Sequence, residues 1–353
     1  MEGLCQEDGM MMAVLEINLT EHNASNCETK ANSTGVNLCQ EFYVYCTPFI
    51  LVIGLTGNLL SLRVFMARNM RKLSASVYLA ALSLSDIFAL LFYVMLEWLR
   101  RGMPSISEGF LPHFLETRGI CQLSLYLSYI SRFLSAWLVV TFTVERYIGV
   151  CHPLRRKDLC GSQSAQKAIG SIAVISLCLM VYKPIISGVY QVGPTRVSRC
   201  TFDPNFRFLS FVLDNIFAVF ITLVPFVIIS VLNTMIIRKL CQRSRAHRRS
   251  LRSAVNQDSV IRLEFTIIPL VVSFVFVMLN VPFFCVWFKL FLLSEMVSTS
   301  NAVHNFTGLH DALLVTRVIF YMNYCVNFFL YSITGAYFRR ELCTLFVFRN
   351  KRR

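Results

Sequence analysis

Seven long apolar runs, separated by short polar loops, constrain the fold of this chain more than any other feature. Each is long enough to cross the hydrocarbon core of a bilayer, which needs roughly 20 apolar residues. A helix satisfies its backbone hydrogen bonds internally, so the runs predict membrane-spanning helices. The predicted spans 1 to 7 cover residues 42–66, 74–98, 121–153, 166–190, 205–238, 258–292 and 309–334.

The composition supports this interpretation. Only 15% of the 353 residues are charged, whereas soluble domains carry about 25%. A net charge of +14 would suit nucleic acid, but the basic residues lie in the short loops between the runs, as in membrane proteins. We therefore expect membrane lipids around the chain and no nucleic-acid partner. A closed barrel is excluded, because it would show alternating segments of about 10 residues.

Glycosylation sequons and basic loops predict the topology. Sequons precede span 1 and span 7, and such triplets act in the secretory lumen. The basic loops mark the cytoplasmic side. We therefore expect a multi-pass plasma-membrane protein with an extracellular N-terminus and no cleavable signal peptide. The predicted acceptors are Asn18, Asn23, Asn32 and Asn305.

The sequence predicts three regions: a glycosylated extracellular tail over 1–41, the helical bundle over 42–335, and a cytoplasmic end over 336–353. Within the last region, 337–346 has the pattern of an amphipathic helix on the inner surface, and its Cys343 is a candidate for palmitoylation. Gly193-Pro194 predicts a turn between two short strands outside the membrane. The pairing of Cys5, Cys27, Cys39 and Cys46 stays open.

The predicted spans carry a series of short motifs in a fixed order. Span 2 holds Leu82-Ser-Leu-Ser-Asp86, span 3 ends in Glu145-Arg146-Tyr147, and span 7 holds Asn327-Phe-Phe-Leu-Tyr331, which resembles NPxxY. Further landmarks are Gly57-Asn58, Pro153, Pro225, Phe276, Pro282 and Phe338. Together they resemble the motifs of rhodopsin-like (class A) G-protein-coupled receptors over 42–346.

The resemblance implies an all-α membrane protein with seven transmembrane helices, a short amphipathic helix 8 and an extracellular β-hairpin. It also implies a Cys121–Cys200 disulfide, a heterotrimeric G protein as partner and no enzymatic activity. The residues expected to switch the bundle and couple to the G protein are Glu145, Arg146, Tyr147, Phe276, Pro282, Asn327 and Tyr331.

Several positions depart from the family pattern. Span 4 lacks the usual tryptophan, Asn280 replaces the span-6 tryptophan, and Phe328 replaces the NPxxY proline. Asn233 stands where span 5 usually has a tyrosine, and Arg262 where span 6 has an acid. We therefore expect no ionic lock between spans 3 and 6.

Asp86 lies in the middle of a predicted span, where a charge costs about 2.5 to 3.5 kcal/mol and so needs a partner or a function. Ser135, Asn323 and Asn327 are its expected neighbours. By resemblance this is an allosteric sodium site, and no other cofactor is expected. The alternative is a dry or water-filled polar cluster without an ion.

Five charged residues are expected at the outward end of the spans: Glu97, Arg132, Lys183, Asp214 and Arg317. They predict a ligand cavity whose basic groups hold carbonyls or a carboxylate and whose acids hold a cation. The alternative is internal pairing, for example of Glu97 with Arg317.

Four further residues complete the candidate ligand site: Ser128, Tyr129, Asn280 and Phe283. Tyr129 and Arg317 match positions that hold the peptide in thyrotropin-releasing-hormone receptors. Phe133 and Phe283 do not match the neighbouring contacts there, so the same ligand is not implied. Ser128 replaces the aspartate of amine receptors, which argues against a monoamine ligand.

The segment 323–331, followed by Tyr337-Phe-Arg-Arg-Glu-Leu, is similar to neuropeptide receptors of the FMRFamide, myosuppressin and thyrotropin-releasing-hormone group. The resemblance implies a G-protein-coupled receptor for a neuropeptide, which could be amidated. The rivals are a receptor for a lipid or an organic acid, and a membrane transporter. Transporters commonly carry inverted repeats, and this sequence shows none. It also has no HExxH, GxSxG or P-loop motif of an enzyme.

Overall fold

The computed structural model describes residues 38–107, 113–192, 197–249, 257–296 and 303–350. Six of its helical segments are long and apolar enough to cross a membrane, and a pair of helices bent by 51° supplies a seventh. They agree with the seven predicted spans and keep those numbers here. In order they are Leu38–Phe65, Ser74–Ile106, Ile120–Cys151, Ser162–Ile185, Pro204–Arg243, Ile267–Leu290, and the pair Gly308–Tyr324 and Asn327–Thr334.

Several spans contain breaks that hydropathy does not reveal. Span 2 consists of Ser74–Ala89, a π-helical turn Leu90–Val94, Met95–Arg101 and Met103–Ile106, and span 4 of Ser162–Met180 and Tyr182–Ile185. Span 5 has a second π-turn, Val219–Leu223, between Arg207–Ala218 and Val224–Arg249. Such turns are common at functional sites. The remaining helices and 3-10 turns are His113–Glu116, Arg156–Leu159, Pro204–Phe206, Gln257–Met296, Val303–Tyr321, Met322–Tyr324 and Ala336–Asn350.

Several predicted boundaries are wrong. Span 2 continues to Ile106 rather than ending at 98, and span 5 continues to Arg243 rather than ending at 238. Span 4 ends at Ile185 rather than at 190, directly after Pro184, whose nitrogen cannot donate a hydrogen bond. The helix of span 7 begins at Val303 rather than at 309, so the backbone of Asn305 is helical and not in a loop. The side chain of Asn305 and the tail with Asn18, Asn23, Asn32, Cys5 and Cys27 lie outside the described residues.

The predicted hairpin consists of β1, Ser187–Val192, and β2, Val197–Phe202. The strands pair antiparallel with Val189 opposite Cys200; the turn residues Gly193 and Pro194 are not among the described residues. After β2, the backbone N–H of Asn205 donates to the Asp203 carboxylate at 2.9 Å, which lowers the pKa of that carboxyl. This bond caps the short turn that leads into span 5.

The predicted disulfide is confirmed, since Cys121 and Cys200 are joined. It ties the start of span 3 to β2 and marks one end of the bundle. We call this the cystine end, and the opposite end, where span 3 carries Arg146, the Arg146 end.

Close packing of spans 1 and 7 depends on Gly57. A Cβ atom there would lie 2.9 Å from the Phe328 Cβ, so glycine leaves the room that Phe328 occupies. Directly after Gly57, the Asn58 side-chain amide donates to the Tyr324 carbonyl at 2.7 Å. Asn58 thereby satisfies a carbonyl at the bend of span 7.

The C-terminal helix, Ala336–Asn350, is anchored to the Arg146 end. Phe338 is buried against Phe65 and Tyr331, with ring centroids 5.2 and 5.8 Å away. Arg339 donates to the carbonyls of Ser332 and Ile333, which satisfies acceptors at the end of span 7. The side chain of Cys343 is exposed.

Candidate functional site

The first of two polar groups near the cystine end joins spans 2 and 7. Glu97 Oε2 accepts from Arg101 Nε at 2.8 Å and from Arg317 Nη1 at 3.1 Å. The internal pairing of Glu97 with Arg317, one of the two alternatives from the sequence, is therefore present. One carboxylate is shared between two guanidinium groups.

A second group joins spans 3, 4 and 5 around Asp214. Lys183 Nζ lies 2.7 Å from Asp214 Oδ2, and the Tyr129 hydroxyl donates to Asp214 Oδ1 at 2.7 Å. Ser210 and Tyr182 donate to the same carboxylate at 3.3 and 3.4 Å. Lys183 is 4% exposed and Asp214 6%, so this is a fully buried ion pair.

Arg132 lies between these two groups. The carbon at the centre of its guanidinium is 4.3 Å from the centroid of the Tyr93 ring, 4.4 Å from that of Tyr129 and 4.9 Å from that of Phe217. Its Nε donates to the Ser128 carbonyl at 3.3 Å. Aromatic faces attract a cation at these distances, and more strongly where water is excluded.

Arg132 and Asn280 share a small cavity of about 10 Å³ with Ser135, Phe276, Asn323 and Tyr324. That is about the space that one water molecule needs. The structure thus brings Arg132 and Asn280 together.

Phe283, by contrast, packs on Phe320 with ring centroids 5.2 Å apart, and Arg317 lies 5.9 Å from its ring. Glu97, Phe283 and Arg317 therefore form a separate wall beside spans 2 and 7, away from the Asp214 group.

Asp86 is fully buried and meets most of its predicted partners. Ser135 Oγ donates to Asp86 Oδ1 at 2.7 Å, and Asn327 Nδ2 to Oδ2 at 2.6 Å. The backbone carbonyl of Asn323 accepts a hydrogen bond from Asn327 Nδ2 at 3.4 Å. Asn323 also lines the small cavity that Arg132 lines. The Asp86 carboxylate and the Ser135 hydroxyl oxygen are ligands that suit a hard cation, whereas Asn327 faces Asp86 with its amide nitrogen.

At the Arg146 end, Arg146 Nη2 lies 2.7 Å from Glu145 Oε2 and 3.3 Å from Ser74 Oγ. Its guanidinium carbon is also 5.5 Å from the Phe142 ring centroid. Tyr147 instead contacts His152, with its hydroxyl 3.4 Å from Nε2. Arg146 is thus held by spans 2 and 3.

Hydrogen bonds also join span 5 to its neighbours at this end. Asn233 Nδ2 donates to Ser273 Oγ of span 6 at 2.6 Å, and Arg243 Nη2 donates to the Val150 carbonyl of span 3 at 2.8 Å. The side chain of Arg262, which bears on the expected lack of an ionic lock, lies outside the described residues. Asn233 therefore links spans 5 and 6 rather than facing Arg146.

The predicted switch residues of spans 6 and 7 lie inside the bundle. Asn280 Nδ2 donates to the Phe276 carbonyl at 2.6 Å. Pro282 follows two residues after Asn280, within the helix of span 6. Tyr331 is fully buried.

Sequence reasoning missed Tyr93, Phe217, Tyr182 and Ser210. Helical spacing could have found two of these, since Ser210 and Phe217 lie four and three residues from Asp214 and share its face.

Comparison with known proteins agrees with the bundle and its motifs. Residues 57–331 match the family of 7 transmembrane receptors (rhodopsin family), and the chain belongs to this family. It is a multi-pass membrane receptor and not an enzyme.

Relatives within the family include receptors named for peptides. The thyrotropin-releasing hormone receptor of Gallus gallus is 23% identical over 91% of this chain and 85% of its own length. The FMRFamide receptor of Drosophila melanogaster is 24% identical over 91% of this chain and 57% of its own. The allatostatin-A receptor of Bombyx mori is 22% identical over 94% and 88%.

Proposed function

We propose that this G-protein-coupled receptor responds to a neuropeptide that binds among spans 2 to 7 at the cystine end. One observation carries the proposal: in the interior of this end Arg132 and Lys183 both lie against the Tyr129 ring, and Arg317 lies against Phe283 on the side of spans 2 and 7. Peptide carbonyls and carboxylates suit guanidinium donors, and aromatic rings suit apolar side chains of a peptide. The names of the three relatives support a peptide as the ligand.

In this proposal the cystine end is extracellular, and so are the N-terminal tail with its three sequons and the hairpin of β1 and β2. The basic residues after span 5 and the helix Ala336–Asn350 are then cytoplasmic. That helix lies on the inner leaflet, where the exposed Cys343 is accessible for palmitoylation. The regions 1–41, 42–335 and 336–353 keep the roles expected from the sequence.

The ligand acts by binding an active arrangement of the spans more tightly than an inactive one. Changing a 1:99 population to 99:1 needs roughly 5.5 kcal/mol of differential affinity. Pro282 weakens the backbone of span 6 and lets its cytoplasmic part move outward. Arg146 then leaves Glu145 and Ser74 and contacts the G protein, whose binding and that of the peptide favour each other.

A screen of amidated and free-acid neuropeptides on cells expressing the full chain, with calcium and cAMP as readouts, tests the function. Once a peptide is active, we expect Arg317→Glu to lower its potency at least about tenfold, because a charged hydrogen bond to the ligand is lost. The charge-swapped variant Glu97→Arg/Arg317→Glu restores the pair between spans 2 and 7. If the double variant folds like the wild type but the potency of the peptide stays low, Arg317 contacts the ligand. If the potency is unchanged in Arg317→Glu, Arg317 only stabilises the bundle.

We also propose that Asp86, Ser135, Asn323 and Asn327 bind a sodium ion that favours the inactive arrangement. The buried carboxylate and its oxygen-bearing neighbours support this. We expect sodium chloride to lower agonist affinity relative to N-methylglucamine chloride at equal ionic strength, and Asp86→Asn to abolish the difference. Equal agonist affinity in both salts for the wild-type receptor would favour a polar cluster without an ion.

A further inference from the structure

A guanidinium without an anion lies in the interior of the cystine end. No ion pair among the described residues includes Arg132, whereas the acids of this layer already have cations. Glu97 is held by Arg101 and Arg317, and Asp214 by Lys183. The cations of this layer therefore outnumber the anions, and Arg132 is the cation that is left over.

The groups around Arg132 compensate the positive charge of its guanidinium only in part. Three aromatic rings contact the guanidinium, and the Ser128 carbonyl accepts from Nε. Among the described residues, its two terminal nitrogens have no hydrogen-bond acceptor. The same side chain lines a cavity together with Asn280 and Asn323. The Asn280 amide already donates to the Phe276 carbonyl, whereas the terminal nitrogens of Arg132 keep their donors.

We infer that Arg132 receives a carboxylate of the ligand, an inference that rests on the proposed binding of a peptide at the cystine end. The two terminal nitrogens of a guanidinium form a fork that matches the two oxygens of a carboxylate. The aromatic walls exclude water and so strengthen such a pair. Because Glu97 and Asp214 are engaged by the protein, a ligand cation finds no partner here. The peptide presents a free C-terminus or an acidic side chain to Arg132, and not an amidated end.

Three small probes test this on the full-length receptor in lipid nanodiscs, with dissociation constants measured by NMR. N-acetylphenylalanine carries a terminal carboxylate, N-acetylglutamic acid α-amide a side-chain carboxylate, and N-acetylphenylalaninamide none. We expect at least one carboxylate probe to bind about tenfold or more tightly than the neutral amide, and the tighter of the two identifies the source. Arg132→Gln should lose this preference, and Arg101→Gln, which removes a cation that already has Glu97 as its partner, should keep it. Equal binding of the three probes, or a preference that survives in Arg132→Gln, would overturn the inference.

Ser128→Asp keeps the test decisive if Arg132→Gln does not fold. Ser128 precedes Arg132 by one helical turn on the same face, so an aspartate there supplies an internal carboxylate. This variant should unfold at a higher temperature than the wild type and should no longer prefer the carboxylate probes. A lower unfolding temperature together with a retained preference contradicts the inference. Calcium and cAMP responses to peptides are measured separately, so failure here leaves the proposed receptor function to its own test.

Discussion

Replacing Lys183 with methionine is expected to lower the free energy of unfolding by about 3–5 kcal/mol, because the Asp214 carboxylate would remain buried without its cation. Tyr129, Tyr182 and Ser210 still donate to that carboxylate, but three neutral hydrogen bonds do not replace a charge 2.7 Å away. Thermal and denaturant unfolding of the purified receptor in nanodiscs measures the loss.

Two variants control for the size of the side chain and for charge in general. Lys183→Met/Asp214→Asn removes both charges and keeps an acceptor for Tyr129, so it should recover most of the stability. Arg101→Gln removes a partly exposed cation from Glu97, which retains Arg317, and should cost less than about 1 kcal/mol. If Lys183→Met and Arg101→Gln proved equally stable, the Lys183–Asp214 pair would not stabilise spans 4 and 5 as described.

The second large effect is expected from the double variant Cys121→Ser/Cys200→Ser. The disulfide closes a loop between residues 79 positions apart, and constraining loops of this order stabilises a protein by about 3 to 4.7 kcal/mol in the chain-entropy description. Inserted spans retain structure when the bundle unfolds, so the measured loss should lie toward the lower value. The measurement is the unfolding temperature with and without dithiothreitol.

Wild-type receptor should melt at a lower temperature in reductant, and the double variant should melt at that lower temperature in both conditions. Cys343→Ser is the matched control, since this cysteine is exposed on the C-terminal helix and should leave both melting temperatures unchanged. A reductant effect that persists in the double variant would mean that another disulfide carries the stabilisation.

Length and hydropathy were enough to predict the spans, and family motifs were enough to predict the Cys121–Cys200 bond and the partners of Asp86. The ion pairs of the cystine end were harder to predict. Position along a span gives the depth of a charge, but its partner depends on how each helix is rotated. For Glu97 the sequence left open a ligand cation or internal pairing with Arg317, and for Asp214 it named no partner. The structure pairs Glu97 with Arg317 and Asp214 with Lys183.

The breaks in the helices explain part of this difference. The π-turn at Leu90–Val94 contains Tyr93 and shifts every residue after it, including Glu97, relative to a regular helix. No composition signal marks such a turn, because its residues are as apolar as their neighbours. The stacking of Tyr93 on Arg132 depends on this turn and could not be read from helical spacing.

Phe328 gives the bend of span 7 an unusual property. A proline at this position would lack the N–H that a regular helix directs at the carbonyl four residues earlier, and the bend would be permanent. Phe328 has that N–H, while the Tyr324 carbonyl accepts the Asn58 amide instead. A carbonyl oxygen has two lone pairs, so the Tyr324 carbonyl can accept the Phe328 N–H and keep the Asn58 amide. Span 7 can therefore straighten without a covalent change, and its angle is adjustable.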